Sequence, residues 1–330
     1  MSKVFSYNNL ILEVQCLVEH AKVPKHWSKT CNELFDVHTI CLLFVLFQIE
    51  QKDYRLFSAW LEIAPALGLK RVPHWTTLQK AFQRLPPKII RKLMQLSGHC
   101  KDRTVALDPT YYQLTNPSKG YCKRIKRDSR KDKLRKVSVV CGTRCNKVLD
   151  VYLKAEERHG TKDVSELVKS GCFKNKIVLA DKEFDSEKFH EQIEESGGRS
   201  IVPLRNRGSV PYHRIKGRHR KALSRKPLSR TYRRRVRSES NNSAVKRRFS
   251  PVLRGKTFWQ QARDVYGKYL AYNLIQDCTS SFMHWLELST EPVYLSHFNS
   301  FLLRHLISFF NNIKISFLLP SICVLWMDHF

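Results

Sequence analysis

Residues 232–246, YRRRVRSESNNSAVK, set a single carboxylate, Glu239, in an otherwise cationic run. At about 100° per residue, a helix here would place Tyr232, Arg235, Glu239 and Lys246 at about +20°, −40°, 0° and −20° around its axis, on one narrow face. A phenol, a guanidinium, a carboxylate and an ammonium on one stripe make a poor core, because burying unpaired charge is costly. They make a good surface for holding phosphate beside a metal-binding carboxylate. A solvated basic helix is the plainer alternative, and Ser240, Asn241, Asn242 and Ser243 are mediocre helix formers. Two more acids stand where strands are expected to end: Asp108 after TVAL and Asp181 after KIVLA. A strand fixes a carboxylate while the loop beyond it leaves room for substrate, although a lone strand-end Asp is more often a turn or helix-cap residue. With Glu239 they offer an oxygen-only ligand set for two Mg²⁺ or Mn²⁺ ions about 3.5–4 Å apart, suited to phosphodiester chemistry.

The charge of the whole chain agrees with a phosphate partner. Among 330 residues, 59 Lys and Arg stand against 29 Asp and Glu, a net charge of +30 that implies a polyanion, most simply nucleic acid. An acidic membrane surface fits less well, since the basic residues lie among strand-like and loop-like segments rather than on one amphipathic helix. The ten cysteines are scattered, several within apolar runs, and read as reduced core thiols rather than a disulfide scaffold. Cys141 and Cys145 are the close pair, with no second pair at zinc-ligand spacing. The opening residues MSKVFSYNNLILEV hold no long apolar export segment.

The elements that must position these groups follow from periodicity. Residues 1–100 read as an all-α module: VHTICLLFVLFQIE, YRLFSAWLEIAPAL, TTLQKAFQRL and PKIIRKLMQL are helices, the last two a candidate helix-turn-helix with Gln79, Lys80, Gln83 and Arg84 outward. At Arg103 the pattern turns strand-like. TVALDPTYYQLT, LRKVSVVCGT and KVLDVYLKAE read as strands, the first ending at Asp108, with a basic loop KRIKRDSRKDK between the first two. A helix begun by Thr161 and closed by Gly171, the strand KIVLAD, a helix from Ser186 to Gly197 and the strand SIVPL follow. That order gives a mixed sheet flanked by helices. Residues 205–237 read as an extended basic loop that orders on a polyanion. KTFWQQARDVYGKYLAYNLI reads as an amphipathic closing helix packed through Trp259, Val265, Tyr269 and Tyr272. Residues 278–330 lose the basic bias and form an apolar extension to which no role is assigned. Arg304, Asn311, Asn312 and Lys314 break every window of the roughly 18 apolar residues that a membrane span needs.

Three blocks, VALDPTYYQ, IVLADKEFDS and YRRRVRSESNNSAVKRRF, resemble the insertion-sequence transposases with an Asp-Asp-Glu triad, in particular the insertion-sequence-four group. The third block carries that group's spacing of Tyr, two residues, Arg, three residues, Glu, six residues, Lys through Tyr232, Arg235, Glu239 and Lys246. The resemblance, over roughly residues 30–275, implies an RNase H-like catalytic core at 101–277. Asp108, Asp181 and Glu239 would be ligands of two Mg²⁺ or Mn²⁺ ions. Tyr232, Arg235 and Lys246 would lie against phosphates of the element's ends, with Arg233, Arg234 and Arg247 as further DNA contacts. It implies nicking at terminal inverted repeats, then attack of the freed 3′-OH on target DNA. A homodimer on paired ends, in the prokaryotic cytoplasm at the nucleoid, goes with that reaction. His159 and Asp163 match a family feature as supporting residues. The unmatched apolar extension leaves an inactive or domesticated DNA-binding remnant as the alternative, and the interval between Asp181 and Glu239 is too short for a large inserted β domain.

Overall fold

The structure, a computed structural model, describes residues 5–28, 34–63, 67–69, 71–114, 124, 134–154, 164–205, 211–224 and 230–279. Five helices come first: α1 (Tyr7–His20), α2 (Val37–Glu50), α3 (Tyr54–Glu62), α4 (Trp75–Arg84) and α5 (Pro87–Ser97). Their starts have ordinary chemical causes. Asp36 accepts a hydrogen bond from Thr39 N (2.7 Å), Asp53 accepts from Arg55 N and Leu56 N (both 2.9 Å), and α5 opens on a proline, whose missing N–H is no loss at that position. Strands β1 (Thr104–Leu114), β2 (Leu134–Gly142) and β3 (Val148–Leu153) follow. After them come the short α6 (Val164–Val168), β4 (Ile177–Ala180), α7 (Glu187–Glu195), β5 (Arg199–Ile201), α8 (Arg218–Ser224), α9 (Val236–Phe249), β6 (Val252–Leu253) and α10 (Phe258–Cys278).

The sheet runs β3-β2-β1-β4-β5, with β6 beside β1. β2 lies antiparallel to both β1 and β3, while β4 lies parallel to β1 and β5 parallel to β4, the arrangement of an RNase H-like fold. Alternation along β1 divides the core. Ala106 and Tyr112 join a cluster with the N-terminal helices, α9 and α10; Val105 and Leu107 join a second with Phe173, Phe184, Phe189 and Ile193. Residues 5–278 form one compact unit; residues 1–4 and 279–330, Thr279 apart, lie outside the described residues. The helices of the first hundred residues therefore share a core with the sheet, and residue 100 marks a change of period rather than a break in packing.

Helix α10 is the spine of that core. Its buried residues run round the helix, including Val265, Tyr269 and Tyr272, so it is enclosed rather than amphipathic, and Trp259, expected to pack, is 60% exposed near its start. Buried Asn273 accepts from Val148 N (2.9 Å) and donates to Val148 O (2.8 Å) and Ser97 Oγ (3.2 Å), tying α5 and β3 to the spine. Arg91 on α5 adds a two-pronged pair with the fully buried Asp150 on β3, at 3.0 and 2.8 Å.

Two other expectations are corrected. β1 does not end at Asp108. It continues through Pro109 to Leu114, because β2 pairs with it from Val105 to Gln113 and β6 resumes the opposite flank at Gln113. The proline is tolerated where β4 has already stopped and that flank of β1 has no strand partner among the described residues. Nor is 205–237 an extended loop waiting for a polyanion. Its described part contains helical turns at Tyr212–Arg214 and Arg230–Arg235 as well as α8, and acids of the same chain hold it. Arg220 grips Asp185 at 2.8 and 3.0 Å, and His219 N donates to Glu187 at 2.8 Å. The loop at 123–133, Thr161 and the pair His159 and Asp163 lie outside the described residues, Arg124 apart. Among the described residues no helix is long and apolar enough to cross a membrane.

Candidate active site

Asp108 sits on the face of β1 shared by Ala106 and Tyr112, which α9 covers. Register brings Asp181 beside it: Leu107 pairs with Ala180 across the parallel β1–β4 ladder, so the next residue of each strand is an aspartate. Their neighbours Leu107 and Ala180 share one core cluster, which turns the aspartates toward the other face. Asp181 also caps the helical turn Lys182–Phe184, accepting from Lys182 N at 2.8 Å.

Helix α9 brings the third acid. Arg235, where the turn Arg230–Arg235 passes into α9, donates to Asp108 Oδ1 (3.0 Å) and to Glu239 Oε1 (2.5 Å). One guanidinium thus bridges two carboxylates that are far apart in sequence. Tyr232 donates its hydroxyl to Ala180 O at 3.3 Å, fastening the same turn to the end of β4. Asn242 donates to Asp108 Oδ2 at 3.3 Å and accepts from Tyr269 of α10 at 3.1 Å, while Asn241 accepts from Tyr272 at 3.3 Å. These two asparagines help to seat so polar a helix inward, since Asn242 joins it to both β1 and α10 and Asn241 accepts from α10. Asn242 lies three residues after Glu239, on the same side of a helix, and that spacing was the available signal for it.

An open cleft of about 800 Å³ lies over this face, lined by Asp108, Thr110, Glu239, Asn242, Lys246 and Arg247 among others. Gln51, at the end of α2, reaches the same cleft, as does Arg248. Lys246 Nζ stands 5.4 Å from the centre of the Tyr112 ring, and buried Lys268 stands 5.3 Å from it. Arg233, Arg234 and Arg247 are exposed. Asp181, Tyr232 and Arg235 are not among the cleft's lining residues; Tyr232 is tied to the end of β4.

Burial pushes the Asp108 carboxyl above the ordinary carboxylate range; the charges of Glu239 and Asp181 push the same way, against Arg235 and the Asn242 hydrogen bond. Burial lowers the Lys246 ammonium, opposed by Asp108. Arg235 is pushed upward by Tyr232, Glu239, Asp108 and Asp181, which together outweigh the burial that opposes them. Three carboxylates around one captured cation are a donor set for hard divalent ions, with no thiolate or imidazole among them. They do not close into a finished shell: Asp108, Asp181 and Glu239 do not form a group with ligand oxygens all within 4.8 Å of one another. Among the described residues that condition is met by Cys100, Asp102 and Cys145.

A family model described as the transposase DDE domain matches residues 99–274. The chain belongs to this transposase family. The matched span begins just before β1 and ends within α10, so it takes in the whole sheet and the face described above. No curated protein matches the transposase chain in sequence. The cryo-EM structure of the piggyBac transposase synaptic complex with hairpin DNA aligns with it at a TM-score of 0.40 and 12% identity, over 89% of this chain and 82% of that chain, a likeness too slight to carry an argument.

Proposed function

We propose that this member of the DDE transposase family nicks the ends of its own DNA element and joins the freed 3′-OH to target DNA. We place it in the insertion-sequence-four group, on the spacing of Tyr232, Arg235, Glu239 and Lys246. The observation that supports the reading most is the Arg235 guanidinium held between Asp108 and Glu239, beside Asp181, at 3.0 and 2.5 Å. The face concentrates negative oxygen and already accommodates a cation there.

Asp108, Asp181 and Glu239 would hold two Mg²⁺ or Mn²⁺ ions. Bound ions would activate the attacking hydroxyl and neutralise charge on the leaving oxygen. The chain's own residues supply the rest. Asn242 and the β1 backbone hold Asp108 in place, and the Tyr232 hydroxyl holds the Arg230–Arg235 turn on β4, so the acids are positioned before DNA arrives. With divalent ions held by the carboxylates, Arg235 would be free to contact a phosphate together with Lys246. Arg233, Arg234 and Arg247, exposed on and beside α9, bind the DNA backbone without reading sequence. Gln79, Lys80, Gln83 and Arg84 present a polar outer face of α4 for a second DNA contact. Two paired ends imply a homodimer.

The test uses the full chain, Mg²⁺ or Mn²⁺, and DNA carrying the inverted repeats that flank the element. The expected result is metal-dependent nicking followed by strand-transfer product, with both lost in Asp181→Asn. A folded, DNA-bound protein that nicks nothing would overturn the reading in favour of a DNA-binding remnant.

A further inference from the structure

Three ligand-bearing residues converge away from the cleft. Cys100 and Asp102 lie between α5 and β1, and Cys145 lies in the β2–β3 turn, yet their ligand atoms all fall within 4.8 Å of one another. Zinc bonds thiolate at about 2.3 Å, so neighbouring ligands of a tetrahedral site stand about 3.8 Å apart, within reach of small side-chain adjustments from this spacing. The carboxylate is already oriented: Asp102 Oδ2 accepts from Arg144 N (2.7 Å) and Cys145 N (3.0 Å), so the turn that carries one thiol also fixes the carboxylate.

Gly142 shows the same convergence from the side of the strand. A Cβ there would press on Cys145 Sγ and stand 2.8 Å from Asp102 Oδ2 and 3.0 Å from Cys100 Sγ. The strand lacks a side chain at the one point where it would fill the space between all three ligand atoms. All three residues are partly exposed, which leaves a fourth position open to water.

We propose that Cys100, Asp102 and Cys145 form a zinc site, completed by water, that staples the β2–β3 turn to the segment joining the helices to β1. Binding Zn²⁺ releases the two thiol protons to solvent and leaves two thiolates on the metal. The site is separate from the acidic cleft. Gly142 pairs with Val105 and Val139 with Asp108, three residues or about 10 Å along the strand. The chemistry is separate too, since thiolates select zinc while the carboxylates of Asp108, Asp181 and Glu239 suit Mg²⁺ or Mn²⁺.

Cobalt is the probe. Reduced full-length chain titrated with Co²⁺ is expected to develop a thiolate-to-cobalt charge-transfer band that saturates at one equivalent and is displaced by Zn²⁺. Cys100→Ser and Cys145→Ser lose the band, Cys172→Ser keeps it, and Asp102→Asn, which retains both thiols, weakens binding at least tenfold, with circular dichroism verifying each fold. A folded, reduced chain without the band, or a band that survives in both serine variants, overturns the site.

Discussion

Arg235 donates to both Asp108 and Glu239, so removing it acts in two directions. Arg235→Ala is expected to tighten Mn²⁺ binding, because the ions no longer compete with a guanidinium, while weakening binding to end DNA. Isothermal titration with Mn²⁺ and a DNA-binding titration against salt read the two effects separately. Lys246→Ala should leave Mn²⁺ affinity near its starting value and reduce the slope of log affinity against log salt by about one phosphate contact. Asp108 gives a signed prediction. A carboxyl whose folded pKa lies above its unfolded value costs stability once it is charged, and that cost disappears as pH falls through the folded pKa. Asp108→Asn is thus expected to leave Tm unchanged or slightly raised at pH 7 while abolishing metal-dependent nicking. In the unaltered chain, Mn²⁺ binding should weaken at a pH above the ordinary Asp value of about 3.9.

At the scale of elements, what holds the site is the seating of α9 and α10 on one face of the sheet. The Arg91–Asp150 pair locks α5 to β3 beneath that face, and Asp150 is fully buried. Arg91→Ala should cost about 3–5 kcal/mol in chemical denaturation, because it strands a buried carboxylate. How legible these elements were depends on what each is made of. Helix α2 could be bounded from sequence by its apolar run alone, and a capping Asp36 and a left-handed Gln51 stand at its two ends. Ser186 and Gly197 bounded α7 for the same local reasons. The end of β1 could not be bounded in that way: Pro109 reads as a stop, and only pairing with β2 and β6, set by residues far along the chain, carries the strand past it. Tertiary partners also decided the fate of Trp259, since periodicity cannot show which side of an enclosed helix near its end has no neighbour. The spacing of Tyr232, Arg235, Glu239 and Lys246 could be read from the sequence, whereas the register that sets Asp181 beside Asp108 could not. Asn242 was overlooked because its poor helix propensity says nothing of a hydrogen bond to Asp108, and the Cys100 to Cys145 proximity depends on a turn closing over a distant segment.

Over the whole molecule, one compact unit joins the helical first hundred residues to the sheet, so Gln51 at the end of α2 helps line the same cleft as Asp108 and Glu239. The net charge of +30 is expected to make binding to duplex DNA steeply salt-dependent, whereas the proposed chemistry rests on three carboxylates. The two can be separated: chelation of divalent ions is expected to stop nicking while leaving DNA binding, read by gel shift, within about twofold. The most direct measurement is anomalous diffraction from crystals of the full chain soaked in Mn²⁺. Manganese peaks are expected in contact with oxygens of Asp108, Asp181 and Glu239, with the Arg235 guanidinium displaced from between them. Mn²⁺ bound elsewhere, with Arg235 still joining Asp108 to Glu239 at saturating metal, would contradict it.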